Sequence, residues 1–112
     1  MRSNPKSAGV NVARAAVGQN DALQRENYGD FAGYTCAAQQ GDEAEVLAAQ
    51  KKSVAGKGGR YVDEVTGISV NGDTATATVV YHFEHAADDK LKTPMTFVQQ
   101  DGDWKVCSPG PH

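Results

Sequence analysis

At 112 residues the chain is long enough to bury one hydrophobic core and too short for two. Its formal net charge of -3, with 22% charged residues, describes an ordinary polar surface without the basic excess that a phosphate backbone demands, so nucleic acid is not expected as a partner. No run approaches the roughly 18 apolar residues of a membrane span, and with 7% aromatics the core must rest on Val, Ala and a few rings.

Residues 1–9 are polar and contain Pro5 and Gly9, which reads as a flexible leader or linker. From Val10 to about Asn27, Val12, Ala13, Ala16 and Leu23 recur near one face at helical spacing, with Arg14, Asp21, Gln24 and Arg25 elsewhere. Gly29 suits the C-cap of this first helix, and Asp30 suits the N-cap of a short second one through Phe31, Tyr34 and Cys36. Asp42 followed by Glu45 has the spacing of a capping box, and the third helix it opens ends near Val54, with Lys51 and Lys52 complementing the macrodipole.

Gly56-Lys57-Gly58-Gly59 reads as a flexible connector, and everything after it as strand and turn. It is no phosphate loop, because it follows a helix and opens a strand, the reverse of that motif's order. Strands are predicted over Tyr61 to Val70, Thr74 to His85, Leu91 to Gln100 and Asp103 to Cys107. Asn71-Gly72-Asp73, Ala87-Asp88-Asp89-Lys90 and Asp101-Gly102 are the hairpin signals between them. In the second strand Ala75, Ala77, Val79, Tyr81 and Phe83 share one face, against Thr74, Thr76, Thr78, Val80 and His82. In the first strand Val65 has the opposite parity to Ile68 and Val70, so a bulge near Thr66-Gly67 is needed to bring all three to the core side. The pattern predicts an α+β domain over residues 10–108, with about three N-terminal helices packed on the concave face of a curved four-stranded antiparallel sheet, and a short tail over 109–112 that holds His112.

Cys36 and Cys107 are the only cysteines. An even pair so far apart, without the spacing of a metal site or a redox motif, suggests a disulfide tying the helical region to the last strand; two buried free thiols are the alternative. Such a bond would close a loop of about 70 residues, worth roughly 4 kcal/mol in the chain-entropy model, and would place the domain in an oxidising compartment. The start Met1-Arg2-Ser3-Asn4-Pro5-Lys6-Ser7 lacks the apolar stretch of a signal peptide. The expectation is therefore that an export signal, lipid anchor or membrane helix precedes this segment, with Met1 added for expression; a cytosolic protein with reduced thiols is the other reading.

Asp21-Ala22-Leu23 at the end of the first helix, Tyr28-Gly29-Asp30-Phe31, Thr35-Cys36, the hairpin Val70-Asn71-Gly72-Asp73-Thr74-Ala75-Thr76-Ala77 and the ending Gly102-Asp103-Trp104-Lys105-Val106-Cys107 together resemble secreted actinobacterial domains of the nuclear transport factor 2-like superfamily. The resemblance runs from about Val10 to Cys107. It implies a cone of three helices wrapped by a curved sheet, carried by lipoproteins or extracytoplasmic parts of membrane proteins, with a pocket that relatives fill with many ligands and several chemistries. Fold gives no function by itself.

The cone's open end would draw on the large side chains Tyr34, Tyr81, Phe83, Phe97 and Trp104 as candidate pocket residues, although with so few rings most are needed for the core. Relatives that are ketosteroid isomerases use an Asp base with a Tyr and a protonated acid in an apolar cavity. Tyr34, Tyr81 and Asp30 are the residues that would stand in those places, but Asp30 reads better as a helix cap and no second acid occupies a pocket-facing strand position. His82 and Glu84 share a strand face where alternate residues can meet a metal, yet two ligands make a poor site and His85 points the other way.

Neither catalytic residues, a cofactor nor a metal is expected. The function expected is a non-enzymatic, disulfide-stabilised, extracytoplasmic binding or interaction domain, with a carrier of a small apolar, lipid-like ligand in the cone as the alternative and an isomerase-like enzyme a weaker one. The partner is either that ligand or an unknown protein, including a second copy docked through the Thr74, Thr76, Thr78 and Val80 face.

Overall fold

The structure is a computed structural model that describes residues 5–109. The outer parts of the expected leader and tail, residues 1–4 and 110–112 with His112, lie outside the described residues. Residues 5–9, expected as leader, are helical. α1 (Pro5–Gln24) opens on a proline, whose missing N–H is one that a helix start leaves unpaired and whose φ suits the first turn. Ala8, Val12, Ala15, Ala16 and Ala22 are its buried face, and side chains this small let the helix lie close on the sheet.

The end of α1 differs from expectation. Glu26 takes the left-handed conformation at φ 56°, Glu26 N–H bonds to Leu23 O and Asn27 N–H to Ala22 O, so the helix closes in a Schellman motif with glutamate where glycine is usual. Gly29 is no cap but lies inside α2 (Tyr28–Gly33), and the N-cap is Asn27, whose side chain accepts from Asp30 N–H at 3.0 Å. One asparagine thus ends one helix and starts the next. Asp30 is left for the surface, where Arg25 bridges it to Asp21 at 2.9 Å each.

α2 stops at Gly33, short of the expected Cys36, because the following residues are needed extended. Thr35 forms a parallel bridge with Val106, with Val106 N–H bonded to Tyr34 O and Cys36 N–H to Val106 O. A single 3-10 turn (Ala37–Gln39) then leads to α3 (Glu43–Lys57), which Asp42 caps as predicted by accepting from Glu45 N–H. α3 runs past the expected Val54 to Lys57, where Gly58, at φ 81°, ends it.

The sheet is antiparallel in the order β1 (Arg60–Asn71), β2 (Thr74–Phe83), β3 (Ala86–Gln100), β4 (Asp103–Val106). The predicted bulge is there: Gly67 at φ 60° and Ile68 together face Ala77. A second register shift at Asp63 does the same service nearer the strand's start. Between them they bring Val62, Val65, Ile68 and Val70 against the buried core of Val12, Val79, Tyr81, Phe83, Met95, Phe97, Trp104 and Val106.

The β2–β3 connection is not where Ala87-Asp88-Asp89-Lys90 suggested. The chain turns at Glu84-His85, and the acidic stretch is an outward irregularity in β3 opposite His82. Tertiary bonds fix this choice: Glu84 N–H reaches Gly59 O and His85 N–H reaches Lys57 O, so the turn docks on the α3–β1 connector. A Cβ on Gly58 would lie 2.7 Å from that of Glu84. The connector expected to be flexible is therefore a packed joint.

Cys36 and Cys107 are disulfide-bonded with Cα atoms 5.2 Å apart. Replacing both by serine should lower the unfolding free energy by about 4 kcal/mol, the loop-entropy value for a closure this long. The measurement is the urea midpoint of the double variant against the oxidised protein; equal midpoints would show the clamp to be redundant.

Candidate functional site

On the inner face of the sheet two small residues of β2 stand opposite two large ones of β3, and this decides where the rings go. Ala75 and Ala77 leave room that Phe97 and Met95, their register neighbours, fill. Tyr81 and Phe83 meet edge to face at 5.8 Å, and with Phe97 and Trp104 they belong to the buried core. Tyr34 is half-buried over Gly18 of α1, where an added Cβ would fall 2.5 Å from its ring. None of the five expected pocket residues lines the cleft; Tyr81, Phe83, Phe97 and Trp104 pack the middle of the cone instead.

The space lies at one end of the cone, beneath α3. It is a cleft of about 640 Å³ between α3, the ends of α1 and α2, the start of β1 and the segment after Cys107. Leu23, Phe31, Val46 and Ala49 give it apolar walls, and Gln19, Gln50 and Arg60 are buried polar residues within the lining. Gln19 donates to Thr35 Oγ1 at 2.9 Å, and Thr35 donates in turn to Phe31 O at 2.6 Å.

Arg60 is 6% exposed. Its Nε donates to Asn20 Oδ1 at 2.7 Å, its carbonyl accepts from Asn20 Nδ2 at 3.0 Å, and its N–H donates to Gln24 Oε1 at 3.1 Å. Asn20 and Gln24 sit one turn apart on α1, so a single polar stripe of the helix grips the first residue of the sheet. Burial lowers the Arg60 pKa from its ordinary value, but a guanidinium stays charged at any physiological pH. Lys57 Nζ lies 4.8 Å from the centre of the Phe83 ring, a cation–π contact. Lys52, Lys57 and Arg60 are the charged residues of the lining, and all three are cations.

Sequence reasoning missed Arg60. Its partner Asn20 is 40 positions away, and the one available signal was the pair Asn20 and Gln24 at helical spacing inside an alanine-rich face. The isomerase-like set does not assemble: Asp30 is a surface ion-pair residue, and neither it nor Tyr34 nor Tyr81 lines the cleft. His82 faces Asp63 instead of sharing a ligand with Glu84, with Nδ1 2.8 Å from Asp63 Oδ2 and Lys90 Nζ 3.0 Å from the same oxygen. Glu84 is in the turn, accepting from Gly59 N–H. Among the described residues no group of three or more His, Cys, Asp or Glu converges as a metal site would require.

Asn20→Ala removes both a buried acceptor and a buried donor for Arg60, and a loss of about 2–4 kcal/mol in a urea melt is the expected result; a loss under about 0.5 kcal/mol would mean the grip is not a stabilising one. Asp63 is held below its ordinary 3.8 by His82 first and Lys90 after it. A folded pKa below the unfolded one stabilises above the unfolded value and ceases to do so as pH falls through the folded value. The melting temperature of Asp63→Asn should accordingly fall below that of the wild type near neutrality, and the gap should close as the pH drops below 3.8; a gap that persists in acid would locate the effect elsewhere.

Solved structures share this architecture at low identity. A candidate dehydratase of the NTF2-like family from Streptomyces avermitilis aligns with a TM-score of 0.64 and 17% identity over 92% of this chain and 93% of its own. A candidate NTF2-like transpeptidase from Campylobacter jejuni aligns at 0.60 and 17% over 96% of this chain and 100% of its own. A protein of unknown function with a cystatin-like fold from Nostoc punctiforme aligns at 0.65 and 11% over 95% and 90%. At such identities the likeness is one of fold. No curated protein matches the chain in sequence. The model of the family "Low molecular weight antigen MTB12, C-terminal domain" matches residues 37–108, from just beyond Cys36 through Cys107, which is more than half of the chain. The chain therefore belongs to the MTB12 C-terminal domain family and has the NTF2-like fold.

Proposed function

We propose that this domain is a non-enzymatic binding module that works outside the cytoplasmic membrane and receives a small molecule in the cleft beneath α3. The observation that carries the reading is the cleft itself: about 640 Å³, with apolar walls from Leu23, Phe31 and Val46 and buried polar anchors at Gln50 and Arg60. Small-molecule sites have this character, a mostly apolar concavity of roughly 300–1,000 Å³ with a few fixed polar groups. The Cys36–Cys107 bond supports an oxidising location.

The lining also speaks against catalysis of the kind known from cone-shaped isomerases, which need a carboxylate base beside the substrate. The described residues that line this cleft include no Asp, Glu, His or Cys, and its serines, Ser53 and Ser108, have no base among them. A dehydratase, the class suggested for the Streptomyces relative, would likewise need a general acid and base.

The test uses a neutral environment-sensitive dye, N-phenyl-1-naphthylamine, titrated into the oxidised protein. Saturable enhancement is expected, weakened at least tenfold by Ser53→Trp or Val46→Trp, which fill the cleft from α3. A wild type that fails to take up the dye, or binding untouched by both folded variants, would overturn the reading; circular dichroism melts identify variants that have not folded.

A further inference from the structure

Gln50 is the one buried residue of α3, at 6% exposed, while the aliphatic Val54 one turn on is 41% exposed. A helix packed only to remove hydrocarbon from water would do the reverse. The Gln50 carboxamide nevertheless makes no hydrogen bond to any described residue. Holding an amide away from water without a partner costs free energy and returns nothing to the fold.

Gln19, buried on the α1 side of the same lining, has a half-used amide. Thr35 has one hydroxyl proton and gives it to Phe31 O, so Thr35 Oγ1 can only accept from Gln19. That requirement fixes the flip of the Gln19 amide, with Nε2 on Thr35 and Oε1 without a partner among the described residues. Yet among the described residues no side-chain nitrogen or oxygen is both sealed from open space and unbonded. Gln19 Oε1 and the Gln50 amide meet that condition only by bordering open space, and the space that both residues line is the cleft. Arg60, by contrast, is already engaged within the protein, by Asn20 among others.

We infer that the ligand of this cleft is an uncharged amide, a carboxamide on an apolar body, recognised by the side-chain amide of Gln50. Gln50 offers a donor and an acceptor side by side, and the group that answers both at once is another amide. Gln19 Oε1 adds an acceptor to the same lining, which an N–H can satisfy and an ester or ketone cannot. A carboxylate brings acceptors only and would set its charge against unpaired amide oxygens. This rests on the cleft being a ligand site and goes further in naming the group that the ligand carries.

The experiment is displacement of N-phenyl-1-naphthylamine from the oxidised protein by octanamide, N,N-dimethyloctanamide and octanoate, which share one alkyl chain. Octanamide should compete about tenfold or more better than the dimethyl amide, which keeps the carbonyl and has no N–H, and better than octanoate by a similar factor. In Gln50→Met, which keeps the length of the side chain and removes its amide, the advantage of octanamide over the dimethyl amide should shrink to about twofold or less. The melting temperature of that variant should stay at or above that of the wild type, because no bond within the protein is lost; a marked fall, or failure to fold, would make the Gln50 amide structural and overturn the inference. In the wild type, the side-chain amide resonances of Gln50 in a nitrogen–proton correlation spectrum should shift as octanamide saturates the protein. Resonances that hold still while octanamide displaces the dye would also overturn it. Equal competition by the two amides would leave the cleft to ligands read by their apolar bodies alone, and stronger competition by octanoate would make it an anion site; either result sinks the assignment. Failure of the dye itself to bind would bring down the reading beneath, and this one with it.

Discussion

The parallel bridge between Thr35 and Val106, locked by the neighbouring disulfide, is the constraint from which the rest of the molecule follows. Thr35 is buried, bonded to Gln19 on α1 and to Phe31 on α2, so the bridge joins both helices to the last strand at one point. The cleft depends on it directly. Phe31 and Gln39 flank Cys36 in the chain, Ser108 and Pro109 follow Cys107, and all four contribute to the lining. The bond that ties the domain together also sets two walls of its cavity at a fixed distance.

Much of this was legible in the residues, for reasons that differ between elements. The inner face of β2 follows from strict alternation, and the bulge at Gly67 from the parity conflict between Val65 and Ile68; both are local signals that burial reinforces. Asp42 capped its helix as its spacing with Glu45 indicated. The signals that misled were turn and cap residues overruled by longer-range contacts. Ala87-Asp88-Asp89-Lys90 has the composition of a turn, but the actual turn at Glu84-His85 is held by main-chain bonds to Lys57 and Gly59, which no window around residue 84 contains. Gly29 and Asp30 looked like a cap pair, yet Glu26 and Asn27 close and open the helices just before them. The cleft was hidden for the same reason: Arg60 acquires its role from Asn20 and Gln24, brought beside it only by the packing of α1 on the sheet.

The rings tell a related story. A chain this poor in aromatics cannot both fill a cone and line a pocket with them, and here Tyr81, Phe83, Phe97 and Trp104 go to the core. What remains around the cleft is one ring, Phe31, with aliphatic wall and polar side chains. Solved structures of the same fold align at only 11–17% identity, so shape leaves the ligand to be decided by the lining.

The two register shifts in β1 carry a geometrical consequence. β1 has 12 residues and its partner β2 has 10, so between common end points the outer strand is the longer track by the two residues that the shifts absorb. A ribbon whose edges differ in arc length cannot lie flat. Each extra residue bends β1 locally and sharpens its right-handed twist, so the sheet's departure from flatness is written as a surplus of two amino acids on one strand.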